Sequence, residues 1–213
     1  MNTSRSTCRA VLAPRALFLQ VLTAALLSAN STQAATVGYT SSGGTAEPNV
    51  GYNLGIRFTP NQAFSIDSLG VYDNNGDGLS APREVDLWRW SDEFLLASVT
   101  IGAGTVGTLD SGFRFAPITP VALTAGQLYI VSVVYSSSDG ADDKVFNSTL
   151  TAWSGVTLSP GTYYSAGSTA VFPAGLDTQV RSTANFTATP EPGSVLLCGL
   201  GGVALLARRR RTR

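Results

Sequence analysis

The chain has 213 residues, 44% of them hydrophobic, and its 14 basic and 14 acidic residues give a formal net charge of zero. It contains no histidine and two cysteines, Cys8 and Cys198. The lack of histidine excludes Ser-His-Asp and Cys-His catalysis as well as the usual histidine-containing zinc sites.

The first 34 residues have the pattern of a secretory signal peptide. Three arginines (Arg5, Arg9 and Arg15) precede an apolar stretch at 16–29, which is followed by Thr32-Gln33-Ala34 with small residues at the cleavage positions. We therefore predict export and cleavage by signal peptidase after Ala34, with Ala35 as the neighbouring option. An uncleaved anchor is the alternative, disfavoured because the apolar core is shorter than the ~20 residues of a spanning helix.

Between the terminal segments the chain is acidic. Residues 35–189 contain six basic and 13 acidic residues, a formal charge of −7, and no cysteine. Packing without disulfides must therefore hold this predicted domain, and about 155 residues are enough for one core. Its charge argues against binding anionic polymers such as nucleic acid by charge alone, favours solubility and is compatible with bridging by cations.

Short runs of alternating apolar residues recur between Gly- and Asp-rich turns, and no comparably long stretch has a helical period. Such regularly spaced strands predict an all-β fold, an antiparallel β-sandwich of the jelly-roll-like kind. The segment 137–184 is less regular, and its aromatic and aliphatic residues indicate one or two further strands. The predicted strands are 52–59, 65–72, 84–90, 94–101, 112–116, 127–136 and 185–187.

Two short connections predict hairpins. Ser91-Asp92-Glu93 joins the runs 85–90 and 94–99, and Thr124-Ala125-Gly126 joins the runs 121–123 and 128–134. In each case we expect the two flanking strands to pair antiparallel.

Residues 73–84 match the spacing of a calcium loop. Asp73, Asn75 and Asp77 occupy positions one, three and five, and Glu84 occupies position twelve. Pro82 and the strand-like flanks exclude a true EF-hand, which leaves a β-loop calcium site as the hypothesis. The alternative is that Asp, Asn and Gly simply build a long connection.

The strand that follows carries a second candidate site. Asp86, Trp88 and Trp90 share one face, while Val85 and Leu87 share the other. If the aliphatic face is the core, the tryptophans point outward beside a carboxylate, an arrangement that stacks sugar rings. The alternative, which we favour, is that a neighbouring loop or second sheet covers them as ordinary packing.

The end of the chain has three parts in order. Pro190-Glu191-Pro192 is held extended by its prolines, residues 193–207 are apolar, and Arg208, Arg209, Arg210 and Arg211 follow. A helix over 193–207 is about 22 Å long, so it spans a bilayer only with thinning or with snorkelling arginines. Because arginines are retained in the cytoplasm, the domain is expected outside.

This tail resembles the PEP-CTERM sorting signal of Gram-negative bacteria that make an exopolysaccharide matrix. The resemblance implies recognition of Pro190, Glu191 and Pro192 by an exosortase, an integral-membrane cysteine enzyme, and membrane retention by the four arginines. The preceding region also resembles a β-sandwich domain of unknown function often found before this tail. That resemblance rests on the runs 69–72, 84–88, 95–97 and 123–129, and it implies no activity.

Three domains are thus predicted: a signal peptide (1–34), a β-sandwich (35–189) and a sorting and anchor segment (190–213). No catalytic residues are assigned, and no cofactor beyond calcium. We expect a non-enzymatic protein, held briefly at the inner membrane and then released as a structural or adhesive component of an exopolysaccharide matrix. The alternatives are a calcium-assisted carbohydrate-binding module and a permanently tail-anchored surface protein.

Overall fold

The computed structural model describes residues 35–48, 51–136 and 144–190. The predicted signal peptide, the apolar segment 193–207 and the terminal arginines lie outside these residues. Within the described part of the chain, no helix has the length and apolar character needed to cross a bilayer.

The described residues form strands joined by turns, with one 3₁₀ turn at Asn74–Gly76. The strands are β1 (Thr36–Val37), β2 (Tyr39–Ser42), β3 (Thr45–Ala46), β4 (Tyr52–Pro60), β5 (Phe64–Tyr72), β6 (Arg83–Arg89), β7 (Phe94–Ile101), β8 (Thr108–Asp110), β9 (Phe113–Leu123), β10 (Tyr129–Tyr135), β11 (Val145–Phe146), β12 (Thr149–Ala152), β13 (Val156–Leu158), β14 (Thr162–Ala166), β15 (Gly175–Asp177), β16 (Arg181–Ser182) and β17 (Ala184–Pro190).

The strands pair into two main sheets and two small ones. Sheet I has the order β1-β17-β5-β9-β8, and sheet II has the order β15-β14-β4-β10-β6-β7, with β13 also paired to β4. The small sheets are β16-β11-β3 and β12-β2. All the pairings given for these strands are antiparallel, so the predicted all-β, antiparallel class is confirmed.

Consecutive strands move between the two main sheets. Strand β4 lies in sheet II and β5 in sheet I, while β9 lies in sheet I and β10 returns to sheet II. Strand β4 pairs with β10, and β5 pairs with β9. Between these paired strands in the sequence lies the β6–β7 hairpin, so the pairings are nested.

Aromatic side chains from both sheets meet in one core. The ring of Phe58 on β4 lies 4.5 Å from that of Phe186 on β17, and Phe64 on β5 stacks 6.1 Å from Phe186. All three are fully buried. Because Phe58 belongs to sheet II and the other two belong to sheet I, the sheets pack face to face over these rings.

Most predicted strands occur close to their predicted bounds. The hairpin at Ser91-Asp92-Glu93 is present, since β6 pairs with β7. The second predicted hairpin is wrong: Gln127 N–H donates to the Thr124 carbonyl in a turn, but the strands on either side enter different sheets. Leu123 pairs with Phe64 in sheet I. The turn therefore connects sheet I to sheet II, and β9 and β10 do not pair with each other.

Candidate functional site

The first residue of the predicted calcium loop is held by an arginine. Asp73 is buried, and its Oδ2 lies 2.5 Å from the Nε of Arg114, which is also buried. The other oxygen, Oδ1, accepts a hydrogen bond from the Gly78 amide at 3.1 Å. Arg114 also donates to the Gly76 carbonyl, so this pair fastens the loop to β9.

The remaining predicted calcium ligands are not gathered around Asp73. Asn75 and Asp77 are exposed, and Glu84 lies on β6, where it accepts a 3.3 Å hydrogen bond from the Ser98 hydroxyl. Among the described residues, no group of three or more His, Cys, Asp or Glu side chains is placed to hold a metal. Calcium binding at this loop therefore stays a prediction.

The predicted sugar-stacking face is covered. Val85 and Leu87 are fully buried in the core between the sheets, and Trp88 lies on the opposite face of β6. Trp88 is 7% exposed and its indole N–H donates to the Ser132 hydroxyl at 3.0 Å. Asp86 is also fully buried, so these two residues offer no open surface for a sugar ring.

The cover is formed by the segment between β14 and β15. Phe172 from this segment lies 6.0 Å from the Trp88 ring and 5.1 Å from the Trp90 ring. Trp90 is half-buried and also contacts Tyr163, and the Arg57 guanidinium lies 4.7 Å and 4.5 Å from these two rings. A later loop therefore covers the tryptophans, which is the alternative favoured from the sequence over a sugar-stacking face at Asp86, Trp88 and Trp90.

Asp86 is unusual among the described carboxylates. Neither of its oxygens has a well-formed hydrogen bond among the described residues, and the Ser98 hydroxyl, opposite Asp86 on β7, donates to Glu84. Burial raises the pKa of Asp86 to about 6; the nearby Ser98 hydroxyl opposes this rise and the negative charge of Glu84 adds to it.

A cleft of about 490 Å³ lies at the edge of sheet II. No sequence pattern indicated it. One wall carries Tyr52 on β4, Tyr164 on β14 and Leu176 on β15, which are 36%, 39% and 52% exposed. The tyrosine rings meet edge to face at 5.9 Å. Tyr164 lies across Gly175 on the neighbouring strand, where a Cβ would come within 2.9 Å of the ring, so glycine makes room for it.

The rest of the cleft lining includes a network of charges. The Arg181 Nε donates to Glu47 Oε2 at 2.8 Å, its Nη1 donates to Asp177 Oδ2 at 2.7 Å, and its Nη2 donates to Gln179 Oε1 at 3.0 Å. The Nζ of Lys144 lies 3.4 Å from the same Glu47 carboxylate. Because Glu47 and Arg181 are 134 positions apart, no local sequence motif could have predicted that they form an ion pair.

The cations of this network lie deeper than the carboxylates. The side chains of Lys144 and Arg181 are 1% and 11% exposed, against 25% for Glu47 and 34% for Asp177. Burial alone would raise the pKa of Glu47, but hydrogen bonding and charge from Arg181 and Lys144 hold it below its usual range. The Gln179 amide and Arg181 likewise lower the pKa of Asp177. The cleft thus presents two fixed, ionised carboxylates.

The junction with the predicted sorting tripeptide lies at the end of β17. Pro190 is the last residue of this strand and pairs with Phe64 on β5; Glu191, Pro192 and the four arginines lie outside the described residues. Asp67, at a β-bulge in β5, accepts a hydrogen bond from the Thr189 hydroxyl at 2.7 Å and another from Thr187. One carboxylate therefore holds the strand up to the tripeptide.

Two family models account for this arrangement. Residues 188–211 match the PEP-CTERM protein-sorting motif, which indicates an exported protein that an exosortase recognises and that is held briefly at the membrane. Residues 28–187 match the model described as "Domain of unknown function (DUF4082)". The chain belongs to this domain family, and both predicted resemblances are confirmed.

The other comparisons add little. No curated protein matches the chain. Among solved structures, a family 35 carbohydrate-binding module from an environmental isolate is similar over 60% of this chain and 96% of that one, with 14% identity and a TM-score of 0.32.

Proposed function

We propose that this protein is an exported structural or adhesive component of the cell surface or the extracellular matrix, released from the inner membrane by an exosortase-like enzyme. The match of residues 188–211 to the sorting motif carries the proposal. In this scheme, signal peptidase removes residues 1–34, the arginines at 208–211 delay the tail in the membrane, and the enzyme acts at Pro190-Glu191-Pro192.

The fold suits processing at that position. Strand β17 lies between β1 and β5 inside sheet I, and its pairing ends at Pro190. A cut within or after the tripeptide would therefore leave every described strand in place. The strand order, with β4–β10 and β5–β9 nested across two sheets, also supports the jelly-roll-like architecture, which is common in non-enzymatic surface modules such as lectins.

An adhesive role is favoured over catalysis by the chemistry of the domain. Residues 35–189 have neither histidine nor cysteine. The formal charge of −7 keeps such a domain soluble and disfavours anionic polymers as partners, whereas neutral polysaccharide remains compatible with it.

Fractionation of cells tests the proposal. In a host that has an exosortase, we expect the wild-type chain in the medium and Glu191→Ala in the membrane fraction. Glu93→Ala, which changes an exposed acid in the β6–β7 turn, is the matched control and should be released normally. Retention of the wild-type chain in the membrane would support permanent anchoring and reject sorting.

A further inference from the structure

We infer that the cleft between Tyr52, Tyr164 and the Glu47–Arg181–Asp177 network binds a neutral saccharide chain. The inference deepens the adhesive role proposed above and takes its surface location from that proposal. It assigns a ligand class to side chains that neither family model assigns.

The apolar wall fits the face of a sugar ring. Tyr52 and Tyr164 are more than a third exposed although they lie on paired strands, and their edge-to-face contact at 5.9 Å fixes one ring against the other. Aromatic rings held in this way offer flat surfaces to the C–H face of a pyranose at low entropic cost. The ring of Tyr164 is positioned further by Gly175, across which it packs.

The polar side fits the hydroxyls. The accessible charged groups are the carboxylates of Glu47 and Asp177, and the two cations lie behind them. Ionised carboxylates accept hydrogen bonds only, so they select ligands that present O–H donors. Because Arg181 binds both carboxylates, their oxygens are already fixed before a ligand arrives.

Charge excludes the other ligand classes. The formal charge of −7 on residues 35–189 disfavours uronic acid polymers and nucleic acid. A metal ion is disfavoured because Lys144 and Arg181 already neutralise the two carboxylates. The volume of about 490 Å³ lies in the usual range of ligand pockets, roughly 300–1,000 Å³, and accommodates a short stretch of a polymer.

Calorimetric titration of the full chain in mild detergent tests the inference. The probes are hexasaccharides of β-1,4-glucan, β-1,3-glucan and β-1,4-mannan, with hexagalacturonate as the acidic probe. We expect at least one neutral probe to bind and the acidic probe not to bind. Tyr164→Ala and Tyr52→Ala should each weaken binding about tenfold, the loss of one aromatic contact, and Tyr164→Phe should keep most of it.

The control variant is Phe94→Ala, which removes an aromatic ring that is 57% exposed outside the cleft and should leave the affinity unchanged. Asp177→Asn should weaken binding while the melting temperature, followed by circular dichroism, stays close to that of the wild type. Binding of hexagalacturonate alone, equal affinity of Tyr52→Ala and Tyr164→Ala with the wild type, or no binding at millimolar concentrations of the neutral probes would overturn the inference. None of these results depends on exosortase.

Discussion

At the scale of single residues, two buried aspartates behave in opposite ways. Asp73 is paired with Arg114 at 2.5 Å, whereas both oxygens of Asp86 lack a partner among the described residues. An ionised carboxylate without partners is costly to bury, and removal of the partner from a buried ion pair leaves the same uncompensated charge. Each residue gives a stability prediction.

Asp86→Asn should remove a pH dependence of stability. The folded pKa of about 6 lies above the ordinary value of about 3.9, so the folded state binds the proton more tightly than the unfolded state. This group's contribution is therefore fully present below about pH 4 and is lost as the pH rises through 6, by on the order of 3 kcal/mol. Urea unfolding at pH 4 and pH 8 measures it. The same difference between the two pH values in wild type and variant would contradict the assignment.

Arg114→Met should destabilise the fold by about 3–5 kcal/mol, because it leaves the buried Asp73 carboxylate without its cation. The double variant Asp73→Asn/Arg114→Met should recover part of the loss. Arg89→Met breaks the exposed pair with Asp92 and serves as the control, with little expected change. Equal unfolding midpoints for Arg114→Met and Arg89→Met would show that the buried pair has no such role.

At the scale of elements, the sequence predicts strands better than their partners. Apolar alternation located β4, β5, β6, β7 and β10, each of which contributes side chains to the core. The short strands between 144 and 182 were mostly missed, since two to five residues carry too little periodicity. The wrong hairpin after Leu123 and the failure to identify the segment that covers Trp88 have one cause. Alternation assigns the faces of a strand, but it does not show which distant segment packs on them.

Phe172→Ala should expose the tryptophans that the β14–β15 segment covers. We expect a red shift of the tryptophan emission and a loss of about 1–3 kcal/mol, since the ring contacts both Trp88 and Trp90. Val171→Ala alters the neighbouring side chain, which is 49% exposed, and should leave emission and stability unchanged. An unshifted spectrum for Phe172→Ala would mean that these rings are not covered by this segment.

Asp67→Ala should loosen the last residues of β17. The carboxylate accepts hydrogen bonds from the hydroxyls of Thr187 and Thr189, so its loss frees the strand end next to the sorting tripeptide. Hydrogen exchange of the peptide that covers 184–190 should become faster, while peptides from β10 keep their protection. Unchanged exchange at 184–190 would show that backbone pairing alone holds this end.

At the scale of the whole molecule, the tail was easier to interpret than the domain. The sorting motif is local, with its three parts adjacent in sequence, and residues 188–211 match the family model. The cleft instead joins residues from the start and the end of the domain, with Glu47 and Arg181 134 positions apart, and only the fold brings them together. The candidate binding site could therefore not be read from the order of the residues.

The mass of the chain released into the medium tests export and sorting most directly. Cells with an exosortase should release a species that begins near Ala35 and ends within or near Pro190-Glu191-Pro192, and cells without the enzyme should release none. A released protein that still carries the arginines at 208–211, or an equal release from both strains, would contradict the account.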